Sequence, residues 1–161
     1  MNYSKIVKSP VGKLTLVANE SALIAVLWEN EKPNRTRVRE HSAAQKHSVL
    51  EETEKQLREY FAGERTTFSL SLEFQGTEFQ KKVWRALQKI PYGSTASYSE
   101  LAKSIGSAKA CRAVGAANGR NPLSIVVPCH RVIGQNGKLT GFAGGLETKE
   151  FLLQIEAKPN T

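Results

Sequence analysis

The chain has 161 residues, 40% of them hydrophobic, and carries 23 Lys/Arg against 15 acidic side chains for a formal net charge of +8. That length accommodates one ordinary domain or two small ones sharing an interface, and the hydrophobic share excludes wholesale disorder. No apolar stretch approaches the roughly 20 residues of a membrane span, and Met1-Asn2-Tyr3-Ser4-Lys5 lacks the apolar run of a secretory signal, so the expectation is a soluble, cytoplasmic protein.

In chain order, residues 3–8, 12–18 and 22–28 read as three short strands of an antiparallel meander. Gly12 and Asn19-Glu20-Ser21 punctuate them, and Leu14, Leu16, Leu23, Ile24, Val26 and Trp28 fill them. Residues 29–46 are polar and charged and read as a loop or connection. Ser48-x-x-Glu51 has the spacing of a capping box. The helix after it carries Leu50, Thr53, Leu57, Tyr60 and Phe61 near a 3.6 period and stops at Gly63. Phe68, Leu70, Leu72 and Phe74 alternate with polar residues, as in a half-buried extended segment crossing between two lobes.

Near Gly76 the charge balance changes. Residues 1–75 hold 11 Lys/Arg and 10 Glu, whereas residues 76–161 hold 12 and 5, and Asp is absent throughout. A second half so basic suits a polyanion, because each neutralised phosphate releases counterions, or else it is a solvated face serving solubility. Thr77-x-x-Gln80 caps a helix with Phe79, Val83, Trp84 and Leu87, ending at Pro91-Tyr92-Gly93. Ser97-x-x-Glu100 caps a second, with Leu101, Ala102 and Ile105. Ser107 caps a third, from Ala108 to about Asn118. The last two fit a helix-turn-helix or an ordinary helical hairpin. The third helix is rich in small residues (Ala108, Ala110, Ala113, Gly115, Ala116, Ala117) around Arg112, which suits close approach to another helix or to a DNA groove. Asn121-Pro122 and the apolar run 123–127 lead to Pro128-Cys129-His130, Asn136-Gly137 marks a tight turn, and a last helix, Glu147 to Glu156, turns Phe151, Leu152 and Ile155 inward.

Two isolated cysteines, Cys111 and Cys129, and three scattered histidines make neither a Cys-x-x-Cys pair nor a zinc site, so no metal or cofactor is expected. Cys129 is either a buried core cysteine or a nucleophile. As a nucleophile it needs a base to generate the thiolate, and His130 adjoins it. In an extended strand the two side chains would diverge, so a turn after Pro128 or a bridging water is required. Glu156 is a candidate to orient the imidazole.

The run from Asn121 to Ile133, with Pro128-Cys129-His130-Arg131-Val132 at its centre, resembles the active-site signature of the methylated-DNA–protein-cysteine methyltransferases, the O6-alkylguanine-DNA alkyltransferases. The likeness extends through Ser97-Tyr98-Ser99-Glu100-Leu101-Ala102, Arg112-Ala113-Val114-Gly115, Gly141-Phe142-Ala143-Gly144-Gly145 and Lys149 to Glu156, in order across most of residues 76–156. Residues 1–75 match only in layout.

The resemblance implies an α+β fold: an N-terminal antiparallel-sheet, ribonuclease-H-like lobe (1–75) and a C-terminal winged-helix-like helix-turn-helix lobe (76–161) that binds DNA and holds the active site. It implies single-turnover, irreversible transfer of an alkyl group from O6-alkylguanine, and O4-alkylthymine, in double-stranded DNA to Cys129, by a monomer. His130 would be the base, acting through a water, Glu156 its orienter, Asn121 the brace of the turn, and Tyr98 the proton donor to the leaving guanine. Arg112 would enter the duplex and replace the flipped nucleotide, with Ser97, Ala113 and Gly115 also at the DNA. Phe142, Ala143, Gly144 and Val132 would line the base pocket. The family often has Tyr at Phe142 and in some members Ser at Ala143, which bears on alkyl range and rate. Two other classes share parts of this pattern: a lesion sensor, which lacks the acceptor cysteine, and a plain helix-turn-helix regulator, which needs no Asn121, His130 and Glu156 together.

Overall fold

The computed structural model describes residues 1–38, 40–44, 46–134, 137, 139 and 141–157. Strands β1 (Tyr3–Ser9), β2 (Gly12–Ala18) and β3 (Leu23–Leu27) form the expected meander, with β1 and β2 antiparallel from Tyr3↔Ala18 to Ser9↔Gly12. A short strand the sequence does not announce, β4 (Ser42–Ala43), adds to β1 in parallel, giving the order β3-β2-β1-β4. The segment read as a loop thus contributes a strand. Two residues supply too little periodicity to be recognised, and they pair only because β1 offers a free edge.

Alternation in β2 sends Leu14, Leu16 and Ala18 to the main core and Val17 to the other face. There Val17, Ile24 and Ala25 form a small cluster under Leu27 and Val38. Both faces of β3 are therefore covered, which is why it reads as a continuous apolar run. The edge of β3 opposite β2 is paired as well. Leu23 N–H donates to Ser71 O (2.8 Å) and Glu73 N–H to Leu23 O (3.0 Å), while Val26 N–H donates to Pro122 O (2.9 Å). The extended segment 68–74, with Phe68, Leu70, Leu72 and Phe74 half-buried between exposed neighbours, thus runs beside β3. The loop leading to Cys129 docks on the same edge.

Helix α1 (Ser48–Phe61) packs on β1 and β2, with Lys5 Nζ 2.7 Å from Glu54 Oε1. Its N-cap is His47, with no side-chain cap bond. The expected Ser48 capping box is corrected, because Ser48 is already inside the helix and its hydroxyl is one position late to accept from the third turn residue. The helix stops as predicted, at Gly63, whose φ of 78° a side chain would resist. Helix α2 (Glu78–Leu87) has the Thr77–Gln80 capping box in both directions and ends before Pro91, with Gln88 as C-cap. Trp84 Nε1 donates to Ala117 O at 2.8 Å, fastening α2 to α4.

Helices α3 (Tyr98–Ser104) and α4 (Cys111–Gly119) make the helix-turn-helix, and Ser97–Glu100 caps α3 reciprocally. The N-terminus of α4 differs from the expectation. Residues 107–110 form a turn closed by Ala110 N–H to Ser107 O (2.8 Å), and Ala110, without a side-chain cap, precedes the helix. Parallel two-residue strands β5 (Ala96–Ser97) and β6 (Val132–Ile133) tie α3 to the Cys129 turn. Helix α5 (Leu146–Ala157) closes the second half. Of the Asn136-Gly137 turn, Asn136 lies outside the described residues; Gly137 N–H donates to Gly134 O at 2.9 Å. A single buried cluster runs from Leu14, Leu50 and Tyr60 through Val83 and Leu101 to Val127 and Leu152, so the two halves share one core.

Candidate active site

The site begins where α4 ends. Asn121, fully buried, donates from Nδ2 to Val127 O (2.9 Å) and accepts at Oδ1 from Leu123 N–H (3.0 Å). One side chain thereby bridges the start and end of the apolar run. Within that span Ile125 is held at φ 73°, a conformation that costs a β-branched residue of order 1–3 kcal/mol. The resulting tight fold delivers Pro128 into a single 3-10 turn, Cys129–Arg131, in place of a strand. This is the turn the Cys-His pair requires. Asn118 Nδ2, from α4, donates to Cys129 O at 3.4 Å.

His130 is fully buried, and its Nε2 lies 2.7 Å from Glu156 Oε2 on α5. Arg131, 7% exposed, binds both oxygens of Glu156, Nε to Oε1 at 2.7 Å and Nη2 to Oε2 at 3.1 Å, and its Nη1 donates to Ile90 O at 2.7 Å. Its role in the fold is therefore structural, not phosphate-facing. Tyr60 of α1 donates to Glu156 Oε2 at 2.6 Å. A carboxylate near a helix C-terminus opposes the helix dipole. Three donors explain why this one is tolerated.

Burial pushes the Cys129 thiol above its ordinary value, against the Asn121 hydrogen bond and the charges of Arg35 and Lys149, which pull it down. Burial pushes His130 below its ordinary value, against Glu156, which raises it; Arg131 and Lys149 add to the lowering. Burial alone would raise Glu156, but hydrogen bonds from His130, Arg131 and Tyr60 bring it down to about 2. At neutral pH the site therefore holds a thiol, a neutral imidazole and a carboxylate. His130 Nε2–H donates to Glu156, leaving Nδ1 as the bare acceptor, buried and without a hydrogen-bond partner. That arrangement leaves one imidazole nitrogen with a free lone pair that can accept a proton.

Phe142 and Ala143 line a cleft of about 550 Å³ together with Pro33, Arg35, Ala116 and Arg120. Phe142 stands edge-on to Trp28, with ring centroids 5.5 Å apart. Gly144 is there because a Cβ would sit 2.9 Å from the Trp28 ring. Val132, fully buried, lies in β6. On α4, Val114, Ala117 and Asn118 face inward while Arg112, Ala113 and Ala116 are exposed. The small residues at 113 and 116 thus lie on the outer face, not between helices. Gly115 is half-buried, and a Cβ there would touch the Tyr98 ring at 3.7 Å. Ser97 is buried, and its hydroxyl oxygen is used by the α3 cap. Cys111 is partly buried, 3.6 Å from Ser99 Oγ. Among the described residues no group of three or more His, Cys, Asp or Glu is placed to hold a metal ion, and no helix is long and apolar enough to cross a membrane.

Four residues at the site escaped sequence reasoning, three of them from the first half. Trp28 backs Phe142. Arg35, paired with Glu31, donates from Nη1 to Gly119 O (3.0 Å) and Asn121 O (2.9 Å). Tyr60 reaches Glu156. Lys149, in the motif that ends at Glu156 but without an expected role, has a buried Nζ with no hydrogen-bond partner, 5.9 Å from the centroid of Phe142. No local pattern marks the first three as site residues, because the partners that place them at the site are 84 or more residues away.

Two family models match the chain. The 6-O-methylguanine DNA methyltransferase DNA binding domain covers residues 78–158, and the ribonuclease-like domain of the same methyltransferase covers residues 1–74. The methylated-DNA–protein-cysteine methyltransferase of Methanosarcina acetivorans is 51% identical over 154 residues, which span 96% of this chain and 97% of that protein. The constitutive enzyme of Bacillus subtilis is 48% identical, with 97% and 96% covered. Among solved structures, Mycobacterium tuberculosis OGT in complex with DNA superposes with a TM-score of 0.87 at 44% identity, over 96% of this chain and 92% of that one.

Proposed function

The chain belongs to the methylated-DNA–protein-cysteine methyltransferase family, and on that premise we propose that it repairs DNA by moving the methyl group of O6-methylguanine irreversibly onto Cys129 Sγ. The observation that carries the assignment of the acceptor is the 2.7 Å bond from buried His130 to Glu156, with the other imidazole nitrogen unpartnered and Cys129 the preceding residue of the same turn. His130 Nδ1 takes the thiol proton through a water, and Glu156 stabilises the imidazolium that results. The thiolate attacks the methyl carbon, the S–C bond forms as the O6–C bond breaks, and the electron pair goes to the guanine. Tyr98 supplies the proton that lets guanine leave neutral. The product is a thioether, and no group in the site reverses it, so each molecule acts once.

An O6-alkyl group inside a stacked duplex is out of reach of a buried thiol, so the nucleotide must be extruded, at a cost of a few kcal/mol. The outer face of α4 suits this task. Ala113 and Ala116 permit close approach, and Arg112 projects among them to occupy the vacated space. The cleft at Phe142 and Ala143 receives the base, and O4-alkylthymine is the second substrate we assign to it. The division of labour follows: residues 76–161 bind DNA and react, and residues 1–75 support them.

The test is the intact mass of the protein after incubation with a duplex containing O6-methylguanine. The expected result is a stoichiometric gain of one methyl in place of one hydrogen. Tight binding without a mass change would instead identify a lesion sensor. Arg112→Ala should slow repair of the duplex by 10-fold or more, on the order of the ~1.4 kcal/mol per decade lost from the extruded state, and leave reaction with free O6-benzylguanine within about 2-fold. Equal loss on both substrates would make Arg112 structural.

A further inference from the structure

Glu156 Oε2 accepts three hydrogen bonds: from His130 Nε2 at 2.7 Å, from Arg131 Nη2 at 3.1 Å and from Tyr60 Oη at 2.6 Å. The first two donors follow Cys129 in its own turn. The third comes from α1, 96 residues earlier in the chain. Tyr60 is fully buried and fixed on several sides: edge-on to Phe61 (5.3 Å) and Tyr92 (6.3 Å), and tilted against Phe68 (5.5 Å). Its hydroxyl has no freedom to turn to water and is committed to the carboxylate.

We propose that Tyr60 is a positioning residue of the methyl-transfer reaction: its hydroxyl, donated across the core to Glu156, sets how much of the carboxylate's charge reaches His130. The inference rests on the reading of His130 as the base for Cys129. A carboxylate that accepts a strong third bond is a poorer acceptor for the other two. Tyr60 therefore keeps Glu156 ionised and in place while restraining its pull on the imidazole. His130 can then stay neutral at rest and ready to accept a proton. Among the described residues, the other charged or titratable groups facing this pair are Arg131 from the turn, Lys149 from α5, and Tyr92, whose ring lies 5.6 Å from the Arg131 guanidinium and whose hydroxyl donates to Ile155 O. None of these touches the shared oxygen except Arg131. Burial and the Glu156 charge hold the Tyr60 hydroxyl protonated far above its ordinary range, so it acts as a donor at every working pH.

The measurement is the second-order rate of methyl transfer from an O6-methylguanine duplex as a function of pH, in wild type, Tyr60→Phe, Tyr92→Phe and His130→Ala. Without the Tyr60 donor, the full carboxylate charge falls on His130 and stabilises the imidazolium. The acid limb of the Tyr60→Phe profile should therefore move to higher pH, by roughly half a unit to one unit. Tyr92→Phe removes a hydroxyl from the same aromatic cluster without touching Glu156 and should leave the limb where it is. A 3-fluorotyrosine placed at position 60 alone keeps the fold and is a stronger donor, so it should move the limb to lower pH. If Tyr60→Phe lowers the rate uniformly without shifting the limb, and the fluorinated chain matches wild type, Tyr60 is packing only and the inference is overturned. If His130→Ala keeps the wild-type profile, the base itself is misassigned and the inference falls with it.

Discussion

Cys129→Ser should bind alkylated duplex and accept no methyl group, with a rate at least about 10⁴-fold below wild type, the scale of loss when a nucleophile is removed from a site that otherwise stays assembled. The reason lies in the match between base and nucleophile. His130 sits below its ordinary value because it is buried. Burial also holds the Cys129 thiol above its ordinary value, but Asn121, Arg35 and Lys149 oppose that rise, so the thiol remains a far better proton donor to His130 than any alcohol. His130 cannot take a proton from a serine hydroxyl, whose free acidity is far lower. The substitution preserves volume closely, and the new hydroxyl can use the Asn121 hydrogen bond, so the melting temperature should stay within a few degrees of wild type. Intact mass and a thermal melt on one sample separate lost chemistry from lost fold. Any methylated Cys129→Ser chain would move the acceptor elsewhere.

Glu156→Ala should be the most destabilising single substitution at the site. It leaves the Arg131 guanidinium, the His130 imidazole and the Tyr60 hydroxyl buried around a missing partner. Breaking one side of a buried ion pair typically costs about 3–5 kcal/mol, which at this chain length corresponds to a fall of roughly 6–20 °C in Tm. Glu156→Gln keeps the shape but not the charge and should fall between. Denaturant unfolding of the three proteins measures the order, and equal stability of wild type and Glu156→Ala would refute the central place given to the cluster.

The same groups make the protein sensitive to acid. Glu156 is held at about 2 in the folded chain, below its ordinary 4.5, so its contribution is complete above the ordinary value and drains away as pH falls toward 2. His130 is also held below its ordinary 6.5, so the unfolded chain takes up that proton first and folding weakens below that pH. Both act in one direction, and stability should decline steadily with acid from near pH 6.5. Glu156→Gln should flatten the lower part of that decline.

Much of the site was legible in the sequence because its signals are local. The Ser97–Glu100 and Thr77–Gln80 caps depend on residues three apart, and both are formed as read. The order Asn121, Pro128, Cys129, His130 carried the family resemblance because a tight turn with a buried brace tolerates few other residues. The two misread caps, at Ser48 and Ser107, have the right residue types one or more positions from where the helix starts. Helix starts are fixed by tertiary packing as much as by the local pattern. The strand Ser42–Ala43 exists only because β1 has an edge for it to pair with.

By itself the sequence determined the three-stranded meander, the helices apart from some of their starts, the basic second half and the residues of the Cys129 turn, and it left a helix-turn-helix open beside an ordinary helical hairpin, since periodicity, caps and turn residues act over a few positions. Only the tertiary structure decided that the first half enters the site. Trp28 backs the pocket, Arg35 holds the carbonyls of Gly119 and Asn121, and Tyr60 donates to Glu156. It also decided that His130 Nδ1 is the bare nitrogen and that the small residues at 113 and 116 of α4 face outward. These are contacts of side chains with groups 84 to 114 residues away, or orientations set by burial in the shared core. Nothing in the neighbouring residues encodes them, because the partner is brought near only when the core closes.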